Sequence, residues 1–346
     1  MKKLDRFRGC LLAGAAGDAL GYAVEFIPLN TIRTRYGPGG IRAYDLREGL
    51  ALISDDTQMT LFTANGLLLG EQTGDYAGSI HRCYLDWLLT QRARGEVTEG
   101  KVSWLNGAPA LNHPRAPGNT CLAALESGKA GSVRQPINNS KGCGGVMRVA
   151  PAGLYFEDPA RAASIAAEAA ALTHGHPLGW LPAALLGAAV SLAAYTDLPL
   201  DEVIRESEAV LQRLWPELPE LSQLLELTER AVSLAESGLP DIDAIRQLGQ
   251  GWVGDEALAI AVFCALRYPE DLEGALIASV NHSGDSDSTG SIAGNLLGAR
   301  LGLSALPAAF REHLEASDTI LQAADDLFAG PAGLSAQRKA LSKQKI

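Results

Sequence analysis

The stretch PARAASIAAEAAAL, residues 159–172, decides the interpretation of the fold. This segment and the segments 182–194, 201–213 and 219–236 are rich in Ala, Leu and Glu, which favour helices. Their apolar residues recur every three or four positions, as the helical repeat requires. Runs of alternating β-branched residues are missing from the chain, so the sequence predicts an all-α protein.

Proline and glycine divide this helical pattern. Short breaks mark the expected helix junctions at Pro151, Pro177, Pro216 and Pro269. Residues 92–145 differ, because many Gly, Pro and Asn residues predict a long irregular region, and such loops often carry function. No repeat or linker divides the chain. We therefore expect a single domain over residues 1–330 and a basic, flexible C-terminal tail over residues 331–346.

Composition restricts the classes of protein that this chain can belong to. The chain has 346 residues, of which 47% are hydrophobic and 20% charged, as in a globular protein with a sizeable core. A formal net charge of -11 argues against nucleic-acid binding. The five cysteines are scattered without a CxxC pair, which predicts reduced thiols and a cytoplasmic protein.

The apolar run near the N-terminus raises the question of a signal peptide or a membrane segment. Arg6, Arg8 and Asp18 confine this run to a short stretch, which favours a buried helix. We also expect that no stretch of the chain reaches the roughly twenty uncharged apolar residues that span a bilayer. The sequence therefore predicts no membrane partner.

Two acidic clusters stand out as candidate chemistry. One is SGDSDSTG at residues 283–290, and the other is SDDT at residues 54–57. Neighbouring carboxylates resist joint ionisation unless a cation or a proton intervenes. Each cluster precedes an apolar helical pattern, so each can also serve simply as a helix cap at the positive end of the helix dipole. Because all the ligands are oxygen, a shared site would favour a hard ion such as magnesium or manganese.

Two other interpretations apply to the second cluster. An EF-hand loop beginning at Asp285 requires Glu at its twelfth position, where this chain has Leu296, and that interpretation fails. The DxDxT nucleophile of a phosphate-transferring hydrolase requires a buried strand that ends at Asp285. The preceding residues, Asn281 to Gly284, form a polar loop pattern instead, and this interpretation stays as an alternative.

Six strings along the chain carry a resemblance to a known family. They are GCLLAGAAGDALGYAVEF (9–26), SDDTQMTLFTANGLL (54–68), GCGGVMRVAP (142–151), LTHGHPLGW (172–180), GWVGDEALAIAVFCAL (251–266) and NHSGDSDSTGSIAGNLLGARLG (281–302). In type and order they resemble the ADP-ribosylglycohydrolase family. That family includes the dinitrogenase reductase-activating glycohydrolase and the ADP-ribosyl-arginine hydrolases.

The resemblance implies a compact orthogonal multi-helix fold with a central metal-binding cleft that holds two Mg²⁺ or Mn²⁺ ions. The implied metal ligands are Ser54, Asp55, Asp56, Asp285, Asp287 and Ser288. The implied reaction is hydrolysis of the N-glycosidic bond between ADP-ribose and a protein side chain. The two implied hydroxyl ligands, Ser54 and Ser288, are both serine, and this pair resembles that of the arginine-specific branch of the family. The alternatives are a serine, nucleobase or free-metabolite linkage, or a non-catalytic ADP-ribose-binding or structural member.

The resemblance also assigns residues to steps of the reaction. Glu25 is implied as the gating or acid-base carboxylate, and Asp55 or Asp56 as the group that orients the water. The glycine-rich loop over residues 139–148 is implied to bind the diphosphate of ADP-ribose through its backbone amides. His174 lies either on the cleft wall or in a structural role. The implied substrate-binding residues are Asn139, Ser140, Gly142, Gly144, Gly145, Met147 and His174. The implied partners are an ADP-ribosylated protein or small substrate and the product ADP-ribose.

Overall fold

In a computed structural model of the chain, residues 2–333 are described, and the regular elements of that range are helices without a strand. The α-helices are α1 (Lys2–Tyr22), α2 (Leu29–Tyr36), α3 (Asp55–Gly70), α4 (Tyr76–Thr90), α5 (Asn119–Glu126), α6 (Ala150–Tyr155), α7 (Pro159–Ala171), α8 (Pro177–Tyr195), α9 (Leu200–Leu214), α10 (Pro219–Glu236), α11 (Asp241–Leu248), α12 (Gly254–Arg267), α13 (Leu272–Val280), α14 (Ser286–Leu301) and α15 (Ser317–Ala329). Most of the predicted tail, residues 334–346, lies outside the described residues.

The prediction of an all-α protein is confirmed. Helices α7, α9 and α10 follow the predicted segments closely, and α10 matches the predicted range 219–236 at both ends. Helix α8 begins at Pro177, earlier than the predicted residue 182. The side chain of His176 caps this helix by accepting the Leu178 N–H at 3.0 Å, and proline is well tolerated in a first turn.

Helices α1 and α14 pack against each other through glycines at the centre of the molecule. A methyl group on Gly17 would collide with the carbonyl of Gly290, and one on Gly294 would collide with the carbonyl of Ala13. The same holds where α1 ends, because a methyl group on Gly21 would strike Ser286. Only glycine permits this backbone approach. The packing therefore fixes the end of α1 against the start of α14.

Helix α8 corrects one prediction made from the sequence. It has 19 residues without a charge, and by length and composition it is apolar enough to cross a membrane, so the expectation that no such stretch exists is wrong. Of its most apolar window, 89% is buried inside the protein. Helices α7, α6, α9 and α14 pack around it. A core helix of this kind passes the same composition test as a membrane span.

The irregular region predicted over residues 92–145 holds only α5 and three 3₁₀ turns. The buried carboxylate of Asp86 organises it by accepting the backbone N–H groups of Lys101, Val102 and Ser103 at 2.8–2.9 Å. Further along, the Gly118 N–H donates to Asp55 Oδ2 at 3.1 Å. The region thereby passes over the start of α3. Helix α5 begins at Asn119, and Gly118 rather than Asn119 occupies its N-cap position.

Candidate active site

The first acidic cluster forms the start of α3. Ser54 is the N-cap, and its Oγ accepts the Asp56 N–H at 3.1 Å. Asp18 on α1 accepts the N–H groups of Ser54 and Thr57 at 3.0 and 3.1 Å. Burial raises the pKa of Asp18 to about 6, although these hydrogen bonds act in the opposite direction. Ser54 is thus occupied by capping, while the side chains of Asp55 and Asp56 line a cleft.

The second acidic cluster forms the start of α14 in the same manner. Asp285 is the N-cap, and its Oδ1 accepts the Ser288 N–H at 3.3 Å. Asp287 Oδ1 accepts the same N–H at 3.0 Å. Within residues 2–333 no strand leads into Asp285, which follows α13 and a short loop. The strand that the DxDxT interpretation requires is therefore missing, and that interpretation is excluded.

The two clusters face each other across one cleft of about 380 Å³. Glu25 joins them from the turn that follows α1. Ten of the predicted site residues line this cleft, namely Glu25, Asp55, Asp56, Gly142, Gly144, Met147, His174, Asp285, Asp287 and Ser288. Four others, Ser54, Asn139, Ser140 and Gly145, do not line it. The two helix starts, far apart in sequence, therefore present their carboxylates to a common space.

The electrostatics of this space are those of clustered acids without an ion-pair partner. Burial, followed by the charges of the neighbouring acids, raises the pKa of Glu25 to about 8 and the pKa values of Asp56 and Asp287 well above the ordinary range. Burial also raises the pKa of Asp55 to about 8. Among residues 2–333, no ion pair reaches any of these four acids. The cluster must bind protons or a cation.

The donor atoms suit a hard divalent ion. Asp56 Oδ2 is buried and has no hydrogen-bond partner within the described range, which is costly unless a ligand satisfies it. Carboxylates and the Ser288 hydroxyl are the oxygen ligands that magnesium and manganese accept. In the described part of the chain, no three Asp, Glu, Cys or His side chains enclose an ion as they stand. The acids therefore line one cleft, but their side chains do not converge on a single coordination site.

The glycine-rich loop also lines the cleft, next to Asp285. Gly142 pairs with Val253 in an isolated bridge, and Gly144 and Met147 also face the cleft. Ser140 instead contacts Thr120, with 3.3 Å between the hydroxyl oxygens. Gly145 packs against the backbone of Gly179, where a methyl group would collide. The side chain of Asn139 is exposed outside the cleft.

Arg148, at the end of the glycine-rich loop, is a buried cation that does not form an ion pair with any acid of the described residues. It is fully buried, and its guanidinium donates to the Ala169 carbonyl at 3.1 Å and to Thr173 Oγ1 at 2.6 Å. Its other contacts are the sulphur atoms of Met59 and Cys121, at 3.4 and 3.3 Å. Among the described residues it has no ion-pair partner, but its guanidinium also lies over the Tyr84 ring, 4.5 Å from the centroid, and its charge lowers the pKa of Asp55.

Nine residues that line the cleft were not predicted as site residues from the sequence, and three of them, Phe26, Cys143 and Trp252, carry reactive or aromatic side chains that face it. The rings of Phe26 and Trp252 are stacked, with centroids 4.7 Å apart, planes 9° apart, and about half of each side chain exposed. Cys143 Sγ lies 2.9 Å from Asp285 Oδ2. Phe26 follows Glu25 directly and Trp252 lies in one of the six family-like strings. Their positions beside or within the family-like strings were therefore the only sign in the sequence that they belong to the site.

This fold and this cleft define a class of all-α proteins with an acidic central cleft, and comparison with known proteins gives the family. The sequence pattern of the ADP-ribosylglycohydrolase family matches residues 1–336, so the chain belongs to that family. The chain is similar to ADP-ribosylhydrolase ARH3 of Mus musculus, with 26% identity over 94% of this chain and 93% of that protein. It is also similar to ADP-ribosyl-[dinitrogen reductase] glycohydrolase of Rhodospirillum rubrum, with 25% identity over 90% of each chain.

A solved structure named "ADP-ribosylglycohydrolase-related protein complex" shares the fold, with a TM-score of 0.65 and 24% identity. It covers 95% of this chain, and this chain covers 99% of it. The compact helical fold expected from the resemblance is thereby confirmed. Family membership and the named relatives also support the coarser part of the expected function, which is hydrolysis of an ADP-ribosyl substrate.

Proposed function

We propose that this protein hydrolyses the N-glycosidic bond between ADP-ribose and an arginine side chain, in a reaction that depends on two Mg²⁺ or Mn²⁺ ions. The observation that carries the proposal is the group of three buried acids, Asp55, Asp56 and Asp287, with the half-buried Glu25, which line one cleft without an ion-pair partner among the described residues. Bringing these acids together costs free energy that a bound cation would offset. Membership of the ADP-ribosylglycohydrolase family supports the assignment of the substrate.

The residues that would hold the ions are Asp55, Asp56, Asp285, Asp287 and Ser288, all of which line the cleft. Ser54 completes the predicted set, and its hydroxyl would have to exchange the Asp56 N–H for the ion. When bound, divalent ions hold adjacent sugar hydroxyls and polarise a water molecule. Asp56 Oδ2 has no hydrogen-bond partner within residues 2–333. We therefore assign it as the atom that accepts the proton of the attacking water.

Glu25 supplies the acid of the reaction in this proposal. Burial favours the protonated form of Glu25, and in this proposal its carboxyl donates a proton to the departing nitrogen as the sugar becomes cationic. After departure, the carboxylate can accept a proton from solvent. Glu25 also lies beside the exposed ring of Phe26, at the entrance of the cleft. That position is suited to a group that meets the modified side chain.

The entrance favours an arginine linkage over the other candidates. A guanidinium is planar and cationic, and it stacks well on aromatic rings. The Phe26–Trp252 pair offers such a ring surface next to a strongly acidic cleft. Sequence identity does not choose between linkages, because the chain is 26% identical to ADP-ribosylhydrolase ARH3 and 25% identical to the dinitrogen reductase glycohydrolase. The linkage therefore has to be measured.

The decisive experiment offers arginine-, serine- and nucleobase-linked ADP-ribose and free ADP-ribosyl metabolites in parallel, with Mg²⁺, with Mn²⁺ or with chelator. We expect ADP-ribose release from the arginine substrate, and loss of release with chelator or in Asp55→Ala and Asp287→Ala. Asp318→Ala changes an exposed acid outside the cleft and serves as the matched control. Faster release from another linkage contradicts the arginine assignment. Release that persists with chelator contradicts the metal requirement.

Binding measurements separate a catalyst from a non-catalytic family member. Tight ADP-ribose binding without release from any substrate would assign the chain to the non-catalytic class. The natural partner in the proposal is an ADP-ribosylated protein. We place the reaction in the cytoplasm, and the five cysteines, which are all free thiols, support that location.

A further inference from the structure

Three side chains behind the cleft form a hydrogen-bonded chain from Arg148 through Thr173 to His174. Arg148 Nη2 lies 2.6 Å from Thr173 Oγ1, and this oxygen lies 2.8 Å from His174 Nδ1. All three residues are almost completely buried. The chain therefore lies in a region where each donor and each acceptor has to find a partner.

The chemistry of the three groups fixes the direction of each hydrogen bond. A guanidinium has only donors, so the Thr173 oxygen must accept from Arg148. The single hydroxyl proton of Thr173 is then free to be donated to His174 Nδ1. The remaining neighbour of this hydroxyl is the Cys121 sulphur, a weak acceptor that already receives an Arg148 N–H at 3.3 Å. The imidazole nitrogen is the better acceptor of the two.

This direction determines the state of the ring. If Nδ1 accepts a hydrogen bond, the neutral imidazole carries its proton on Nε2. Burial and the charge of Arg148 lower the pKa of His174 to about 3, so the ring stays neutral in the working range of pH. His174 is then a donor through Nε2–H and through no other ring atom.

The Nε2 atom lies beside the glycine-rich loop at the wall of the cleft. A methyl group on Gly142 or on Gly144 would lie 3.3 Å from it. His174 lines the cleft, and no atom of residues 2–333 makes a hydrogen bond to its Nε2. The donor therefore points into the space between His174 and the loop that is predicted to bind the diphosphate. Because neither position carries a side chain, the loop leaves Nε2 open to a ligand oxygen that lies in the cleft beside it.

We propose that Arg148 and Thr173 are positioning residues that hold His174 as the Nε2–H tautomer, so that it donates a hydrogen bond to a diphosphate oxygen of ADP-ribose. The ligand in this proposal rests on the proposed function. The state of the ring does not, because it follows from contacts within the protein. Thr173 is the link on which the arrangement depends, since it alone joins the guanidinium to the ring.

The first test is nitrogen NMR of the full chain labelled with ¹⁵N-histidine, without ligand. We expect Nδ1 of His174 to show the shift of an unprotonated ring nitrogen and Nε2 that of a protonated one, with the signals assigned by their loss in His174→Asn. Thr173→Val should release the ring into a mixture of tautomers, and Thr173→Ser should restore the original state. A protonated Nδ1 in the unmodified protein would overturn the proposal, whether or not any variant folds.

The second test is calorimetric binding of ADP-ribose. Thr173→Val should weaken binding about tenfold, which is typical of one lost hydrogen bond to a charged oxygen, and Thr173→Ser should restore it. Thr228→Val removes another buried hydroxyl, on α10 and outside the cleft, and should change neither the tautomer nor the affinity. Unchanged tautomer and affinity in a folded Thr173→Val would contradict the positioning role. If no form binds ADP-ribose, the proposed function fails while the tautomer result still stands.

Discussion

Cys143 Sγ lies 2.9 Å from Asp285 Oδ2, so a thiol faces the carboxylates of the cleft. The other four cysteines are at most 1% exposed. We expect iodoacetamide to alkylate Cys143 before any other cysteine. The reaction should be slow, because burial and the charge of Asp285 raise the pKa of this thiol. Peptide mass spectrometry over a time course measures the order, and ADP-ribose should protect Cys143. Earlier labelling of Cys121 or Cys264 would show that the cleft is less open than described.

Asp56 and Asp86 allow a matched pair of substitutions, because both are buried but only one is satisfied. Asp56→Asn removes a carboxyl that the metal-free fold can keep only by binding a proton or by burying an unpaired charge, and we expect it to stabilise the metal-free protein by about 1 kcal/mol. Asp86→Asn disrupts a carboxylate that accepts three N–H groups, and it should destabilise the protein by about 2 kcal/mol. Urea unfolding in chelator measures both changes. Equal destabilisation by the two substitutions would show that the charge of Asp56 is already compensated.

Metal-free stability should depend on pH in a defined window. The pKa values of Glu25 and Asp55 are raised to about 8, so the folded protein holds protons that the unfolded chain gives up. Stability then falls as the pH rises toward 8. Histidines with lowered pKa values, His174 and His282, oppose this trend only below about pH 6.5, where the unfolded chain binds their protons.

From about pH 6.5 to about pH 8, the free energy of unfolding in chelator should fall by about 2 kcal/mol from Asp55 alone. Urea midpoints at several pH values measure the slope. Saturating Mg²⁺ should remove the slope, because a bound ion favours the ionised acids. A flat profile in chelator would mean that these carboxyls are already ionised in the folded protein.

The glycine contact at the end of α1 links stability to the site. A methyl group on Gly21 would push against Ser286, next to Asp287. We expect Gly21→Ala to cost about 1–3 kcal/mol and also to weaken Mg²⁺ and ADP-ribose binding. Gly153→Ala would crowd Gly187 between α6 and α8 and should cost stability without a change in binding. Gly238→Ala meets no atom within 4 Å and should be neutral. Calorimetry and urea unfolding of the three variants separate these effects.

The stacked rings at the entrance test the arginine assignment. Phe26→Ala should slow release from the arginine-linked substrate about tenfold, because the guanidinium loses part of the aromatic surface on which it stacks. It should leave product affinity unchanged, and Phe26→Tyr should retain activity. Phe328→Ala removes another exposed ring outside the cleft and is the control. If Phe26→Ala weakens ADP-ribose binding instead, the rings contact the nucleotide and not the acceptor.

The parts of this structure that follow from local sequence were predictable. The helical repeat indicated the ends of α10, and the hydroxyl-acid pattern indicated both helix starts. Partners brought together by tertiary packing were not predictable. The stacking of Phe26 on Trp252 and the absence of an ion pair between Arg148 and any acid among the described residues depend on distant segments. The apolar length of α8 was not predicted, because the helical pattern was expected to begin only at its interior proline, Pro182.

The glycine seam between α1 and α14 has a consequence for exchanging parts between relatives. The backbones of α1 and α14 are in direct contact at these glycines. Glu25, which follows α1, and Asp287, in α14, therefore have a fixed relative position. A chimaera that takes one of these helices from a relative and keeps the other would distort the cleft before it unfolds. Transplanting the two helices together would carry the geometry of the acids with them.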